Sequence, residues 1–226
     1  MAEPASALVT KSELAYNRVR EKILSGEFLP GSVINQATLA RTIGISTTPL
    51  REALRRLKAE GLVELDAHRD ARVAGLRAEE ARDLYEVRRS LDPLAAALAA
   101  QRRTKADIAE IREAAQGLAA LPSNPEYGQL LHHRGFHAAI YRASHNDLLI
   151  ETLESLWDKA DRYRRLALEV ERGPEERARK DKEHEVLLES VIVGDSDTAE
   201  AVMREHIDTS LGAKAAWRLL KPHAGS

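Results

Sequence analysis

Cysteine is absent from this 226-residue chain, which excludes disulfides and thiolate metal sites. Aromatic residues make up only 4% of it, which disfavours a protein that stacks the bases of single-stranded nucleic acid. No apolar run approaches the roughly 20 residues of a membrane span, and the first residues lack a signal-peptide core. A soluble, cytoplasmic protein without a membrane partner is therefore expected. No internal repeat is visible, and the net charge of −2 carries no global nucleic-acid signal. The distribution of charge says more. Residues 1–76 hold eleven Lys/Arg against nine Asp/Glu, a balance of +2, so the remainder carries −4.

The stretch LARTIGISTTPLREALRRLKAEG, residues 39–61, reads as two short helices joined by a tight turn. Leu39 and Ile43 share one face of the first, and Gly44 suits its C-terminus. Ser46 and Thr48 offer N-cap oxygens, and Pro49 fits a first helical turn. Leu50, Ala53, Leu54 and Leu57 make the apolar face of the second helix. Thr47, Thr48, Arg51, Arg55 and Lys58 lie on the other side. Such a helix suits the DNA major groove, where Arg takes guanine through two hydrogen bonds and the helix N-terminus attracts phosphate. A plain solvated stripe is the competing reading of the same face. The flanks favour DNA: an amphipathic helix over residues 15–25 precedes the unit. Two short strands, Leu62-Val63-Glu64-Leu65 and Arg72-Val73-Ala74, follow it. Three helices and a hairpin make a winged helix-turn-helix.

The run ILSGEFLPGSVINQATLARTIGISTTPLREALRRLKAEGLVEL resembles the N-terminal domain of GntR-family transcriptional regulators. The family's SG-x-x-x-PG, LA-x-x-x-G-[VI]-S, TP-[VL]-REAL and L-x-x-x-GL segments are all present. Thr47 stands where the family commonly has Arg, so the preferred half-site is expected to differ. Asp70 stands where the wing commonly has Gly, and Asp tolerates the positive φ of such a turn. The candidate DNA-contacting residues are Arg41, Ser46, Thr47, Thr48, Arg51, Arg55 and Arg69.

From Ala78 onward the pattern is helical throughout. Apolar residues recur at three-and-four spacing through Leu84, Val87, Leu91, Leu94 and Leu98, then through Ile108, Ile111, Ala115 and Leu118. Pro122-Ser123-Asn124-Pro125 breaks the pattern. Further helices are expected around Leu130 to Ala143, Leu149 to Val170, Glu175 to Val193 and Thr198 to Leu219. The expected architecture is mainly α: a winged helix-turn-helix over residues 11–75 and a bundle of about six helices over 78–220. The segments LYEVRRSLDPLAAALAA, FHAAIYRASHNDLL, EHEVLLESVIVGD and MREHI resemble the FCD ligand-sensing domain of the FadR-like branch. Six helices are similar to the VanR-type subset. The resemblance implies a homodimer that binds a palindromic double-stranded operator and responds to a small molecule held in the bundle.

Eight histidines are present. His133 and His137, four apart, project from one helix face, where two imidazoles can reach one ion. His132 points elsewhere. His184 and His206 sit in separate amphipathic helices. Buried, hydrogen-bonded structural histidines are the competing reading. The resemblance implies a metal at the bundle centre, held by an Asp-x-x-x-His pair and two later His. His137, His184 and His206 match the family's three His, and His133 occupies its Asp position. Four neutral imidazoles favour a transition metal, zinc or nickel foremost and also copper, over magnesium or calcium. In similar regulators the Arg at the position of Arg88 faces the cavity, which implies an effector bearing a carboxylate; an ion pair with Asp92, four residues on, is the alternative. Two other functions use the same residues: an acyl-CoA sensor without metal, and a metal-dependent enzyme.

Overall fold

The computed structural model describes residues 10–66, 71–169, 173–209 and 219. The chain divides into two compact units between Gly75 and Leu76.

The first unit holds α1 (Lys11–Leu24), β1 (Val33–Ile34), α2 (Gln36–Ile43), α3 (Thr47–Ala59), β2 (Val63–Leu65) and β3 (Ala71–Val73). Side-chain caps set two of its helix starts: Thr10 accepts from the Glu13 amide and Asn35 from the Thr38 amide. Gly44 closes α2 at φ 77°, a left-handed conformation that costs glycine nothing. Val19 and Ile23 of α1, Leu39 of α2, and Leu50, Leu54 and Leu57 of α3 form one core with Ile34, Val63 and Val73 of the sheet. Each large apolar side chain so buried stabilises the unit by about 1.5–3 kcal/mol before chain entropy is counted.

Two expectations need correction here. Among the described residues the wing sheet has three antiparallel strands, in the order β1-β3-β2, where the sequence pattern predicts two. The added strand pairs Val33 with Arg72 and Ile34 with Ala71. With only two residues it is too short to show alternation. Ser46 does stand at the N-cap of α3, but its side chain makes no capping hydrogen bond. Thr48 lies inside the helix and caps nothing.

The second unit holds six helices among the described residues: α4 (Ala78–Arg102), α5 (Lys105–Ala114), α6 (Tyr127–Arg142), α7 (Asp147–Ala167), α8 (Pro174–Val193) and α9 (Ser196–Asp208). The second of these is shorter than its apolar pattern suggests. It starts at a capping box between Thr104 and Asp107 and ends before Leu118. The C-terminal part of the expected last helix, residues 210–218, lies outside the described residues.

Helix α4 packs against α6, α7, α8 and α9 around Ala95, Ala96, Ala99, Phe136, Ile140, Trp157, Leu187 and Met203. Small residues on α4 let the neighbouring backbones approach it closely. Pro93 lies within α4 and has no N–H to give the Arg89 carbonyl. The Arg204 guanidinium of α9 donates to that carbonyl instead, at 3.5 Å. At the end of α8, Gly194 sits at φ 89° against the Arg103 guanidinium, where a Cβ would meet it at 2.3 Å. Arg103 in turn donates to the carbonyls of Ala100 and Ile192, joining the C-terminal ends of α4 and α8.

Candidate DNA-reading face and metal centre

In α3 the apolar side is fully enclosed: Leu50, Ala53, Leu54 and Leu57 are at most 1% exposed. Thr47, Thr48, Arg51 and Arg55 are exposed on the other side, with Ser46 just before them and Arg41 on α2. Arg51 Nε donates to Gln36 Oε1 at 3.4 Å, and Arg41 donates to Thr38 Oγ1 at 3.3 Å. Arg56 belongs elsewhere. Its guanidinium covers the Tyr16 ring at 3.6 Å and pairs with Glu13 and Glu60, which ties α3 to α1. Arg69 and Asp70 of the wing turn lie outside the described residues.

The second unit brings His133 and His137 of α6, His184 of α8 and His206 of α9 to one point. One ring nitrogen from each lies within 4.8 Å of the others, and all four side chains are buried. Ring centroids are 4.7–6.3 Å apart. Among the described residues, His133 Nδ1, both nitrogens of His137 and both of His184 have no hydrogen-bond partner. A buried imidazole with no partner forfeits about 1–3 kcal/mol per group. Unpartnered nitrogens converging on one point suit a ligand or ion that would accept them. Burial, with repulsion from neighbouring cations, pushes every one of the four below the ordinary histidine value, His184 down to about 3. They are therefore neutral at physiological pH, the protonation state a metal requires of imidazole.

His206 has a partner: its Nδ1 donates to Glu183 Oε2 at 2.9 Å. That bond fixes the tautomer and leaves Nε2 as the acceptor. Burial raises the Glu183 carboxyl, but hydrogen bonds from His206 and Lys180 outweigh it and hold it at about 2. Lys180 is itself buried, bonding Glu183 at 2.7 Å and Thr209 at the end of α9 at 2.5 Å.

The four imidazoles open onto a cavity of about 40 Å³ that is also lined by Arg88, Arg164, Lys180, Ala120, Leu121 and Ile207. Arg88 combines the two expected roles. It lines the cavity while its Nη2 lies 2.5 Å from Asp92 Oδ2, which also accepts from the Tyr141 hydroxyl at 2.8 Å. Arg89, next in sequence, faces outward and pairs with Asp208. Arg164 pairs with Asp161 and is buried. Both guanidiniums lie over the Trp157 ring, at 4.8 and 5.0 Å from its centroid.

Arg164, Lys180 and Glu183 were not singled out by the sequence reading, although their spacing carried a signal. Trp157, Asp161 and Arg164 share a face of α7, and Lys180, His184, Leu187 and Val191 form the buried stripe of α8. A cation in register with apolar residues faces the core.

An exposed hydroxyl-and-guanidinium helix in one unit and a ligand-ready cavity in the other define a helix-turn-helix regulator with a sensing domain. Comparison with known proteins agrees. Residues 11–73 match the model of bacterial regulatory proteins of the gntR family, and residues 83–209 match the FCD domain. The HTH-type transcriptional repressor GlaR of Escherichia coli (strain K12) is 28% identical over 206 residues, 87% of this chain and 92% of that protein. The Glc operon transcriptional activator of the same strain is 28% identical over 220 residues, 87% of this chain and 86% of that one. The solved structure of E. coli McbR/YncC shares the fold, with a TM-score of 0.79 at 23% identity, covering 95% of this chain and 100% of that one.

The chain belongs to the GntR family of bacterial transcriptional regulators and carries an FCD domain. Its relatives and both matched domains are regulators, so the enzyme alternative falls. No helix among the described residues is long and apolar enough to cross a membrane.

Proposed function

We propose that this protein is a cytoplasmic, homodimeric repressor or activator of the FadR-like branch, within its VanR-type subset. Its grip on a palindromic operator is set by a carboxylate effector at a metal centre. The observation that carries this reading is the convergence of four buried imidazoles, most of their nitrogens without partners, on a cavity lined by Arg88. His133, His137, His184 and His206 fit a divalent transition metal, zinc or nickel, better than a hard cation that prefers oxygen. When bound, such an ion supplies Lewis acidity and positions open to a carboxylate oxygen.

The remaining work falls to the chain's own residues. Arg88 orients an effector carboxylate with a rigid fork of donors. Asp92 and Tyr141 hold that fork in place. The His ligands join α6, α8 and α9, and Arg88 adds α4, so an effector touching both sides favours one arrangement of four helices over others. Only such differential binding can alter what the DNA-binding units present to the operator. On the DNA side, Arg41, Ser46, Thr47, Thr48, Arg51, Arg55 and Arg69 are the contacts we assign. One winged helix covers a half-site, so specific affinity calls for two copies tethered through residues 78–220. A metal-free acyl-CoA sensor is disfavoured, because it leaves the unpartnered nitrogens of His133, His137 and His184 without a purpose.

The test pairs a gel shift on the gene's own upstream region with elemental analysis of wild type and His184→Ala. Wild type should carry one transition metal per chain and shift the DNA. His184→Ala should lose the metal and the effector response while its winged helix stays folded. Stoichiometric metal and a normal response in His184→Ala would refute the sensing scheme.

A further inference from the structure

The histidine cluster is buried, and its walls are unequal. His133, His137, His184 and His206 are at most 7% exposed. Among the described residues that line the cavity of about 40 Å³, helices supply all but Ala120 and Leu121. Those two belong to the connection between α5 and α6, residues 115–126. The same connection borders a larger outer groove of about 340 Å³, where Ala115, Leu118 and Ala119 face Phe136 of α6 and Asp181 and His184 of α8. His184 lines both spaces, and Ala119 of the groove is followed in sequence by Ala120 of the cavity. One imidazole and one strip of small side chains therefore stand between groove and centre. Asp181 holds that strip: its Oδ1 accepts from the Ala120 amide at 2.6 Å.

We infer that residues 115–121 are a gate through which a metal ion reaches the four histidines, with the hydrogen bond between Asp181 and Ala120 as its latch. The inference rests on the metal-centre reading above. A helix opens only by breaking its own backbone ladder, whereas an irregular connection lifts by giving up the bonds that hold it to its neighbours. A carboxylate on a backbone N–H makes a charge-assisted bond, roughly twice as strong as a neutral one, so the closed gate is the favoured state. The latch grips the connection and not the imidazoles. Losing it therefore favours the open gate equally with and without the ion. Entry and exit speed up together, and the affinity stays where it was.

The experiment follows zinc alone on the full-length protein: uptake by the metal-free form, and release into a chromogenic chelator at concentrations where the rate no longer depends on it. Equilibrium affinity comes from competition with the same chelator, and circular dichroism checks the fold. In Asp181→Ala both rates should rise at least about fivefold, as expected for losing one hydrogen bond to a charged group, while Kd stays within about twofold. Asp181→Asn keeps an acceptor for the Ala120 amide without the charge, so its rates should stay close to wild type. Ala119→Trp, which fills the groove from an exposed position, should slow both rates. Unchanged rates in folded Asp181→Ala would overturn the latch, and equal changes in the Ala and Asn variants would make Asp181 a matter of charge instead. Faster release alone, with a matching rise in Kd, would make Asp181 a support of the bound centre and overturn the gate. Exchange as fast as wild type in Ala119→Trp would overturn the route, and that variant decides by itself if Asp181→Ala does not fold. Protein that takes up no zinc would overturn the metal-centre reading and this inference together, whereas zinc uptake with rates indifferent to these variants would overturn this inference alone.

Discussion

The two units of this chain treat charge in opposite ways. In the winged helix the core is wholly apolar, and the described Lys and Arg side chains reach solvent. In the helical unit Arg88, Asp92, Asp161, Arg164, Lys180 and the four histidines are buried. Exposed guanidiniums are available to a polyanion that arrives from outside, and they cost the fold little. Buried ones require paired carboxylates, hydrogen bonds and aromatic cover, and a fold carries that cost where a ligand is to be recognised out of water. An exposed basic face and a buried charged cavity are thus built from the same residue types on opposite sides of the surface.

The sharpest way to break this contrast is to remove one buried partner. Asp92→Ala leaves Arg88 charged in the interior and takes the acceptor from the Tyr141 hydroxyl. Losing one member of a buried pair costs about 3–5 kcal/mol. Urea denaturation should show a loss of that order in the helical unit. A loss below about 1 kcal/mol would mean that water reaches Arg88 and solvates it once Asp92 is gone.

Chelation should come next in size and act on one unit only. At metal concentrations of a hundred to a thousand times Kd, an ion bound by the four histidines would stabilise the fold by about 2.7–4.1 kcal/mol. A strong chelator should remove that from the helical unit and leave the winged helix unchanged by circular dichroism. Acid then acts on the stripped protein in a fixed direction. Burial holds the four histidines below 6.5 in the fold, so between that value and their depressed ones the unfolded chain binds more protons. Stability is therefore full above about pH 6.5 and is lost as pH falls toward 3. A metal-free protein equally stable at pH 7 and pH 5 would contradict the burial of the cluster.

How much of this was legible in the sequence follows the same division. Helix α3 and its turn are local facts: apolar spacing, a left-handed glycine and a proline in the first turn appear within a dozen residues. Strand β1 escaped because Val33 and Ile34 acquire meaning only when paired with Arg72 and Ala71. In the second unit His133 and His137 share a face by their spacing alone. Without the resemblance, nothing in the spacing would place His184 and His206 beside them, because that depends on three helices packing. Arg164 and Lys180 were missed for a related reason. A charged residue on a helix reads as solvated until the neighbouring helices close over it, and both sit on the stripe that closes.

A smaller effect tests the outer face. Arg51 is exposed and donates a 3.4 Å hydrogen bond to Gln36. Arg51→Ala should therefore leave stability within about 0.5 kcal/mol of wild type. Operator binding should weaken by about 1–3 kcal/mol if the guanidinium reads a base. Fluorescence anisotropy on operator and scrambled duplexes separates the cases. An equal loss on both would make Arg51 a phosphate contact, and no loss on either would remove it from the reading face.

The smallest expected effect is the most direct comparison of surface with interior. Glu13 and Arg56 form an ion pair at 3.0 Å, as close as many buried ones, yet their side chains are 44% and 52% exposed. Water already solvates both charges, so the pair gains little over its separated state, and exposed pairs are worth about 0–1 kcal/mol. Arg56 also keeps Glu60 and the Tyr16 ring when Glu13 is lost. Glu13→Ala should therefore cost under about 1 kcal/mol, most of it gone at 1 M salt, where charges are screened within about 3 Å. A double-mutant cycle with Arg56→Gln isolates the pair from the helix-start position of Glu13. A coupling energy comparable to the Asp92→Ala loss, and insensitive to salt, would show that exposure does not separate the two classes of ion pair in this protein, and the contrast between its units would fail.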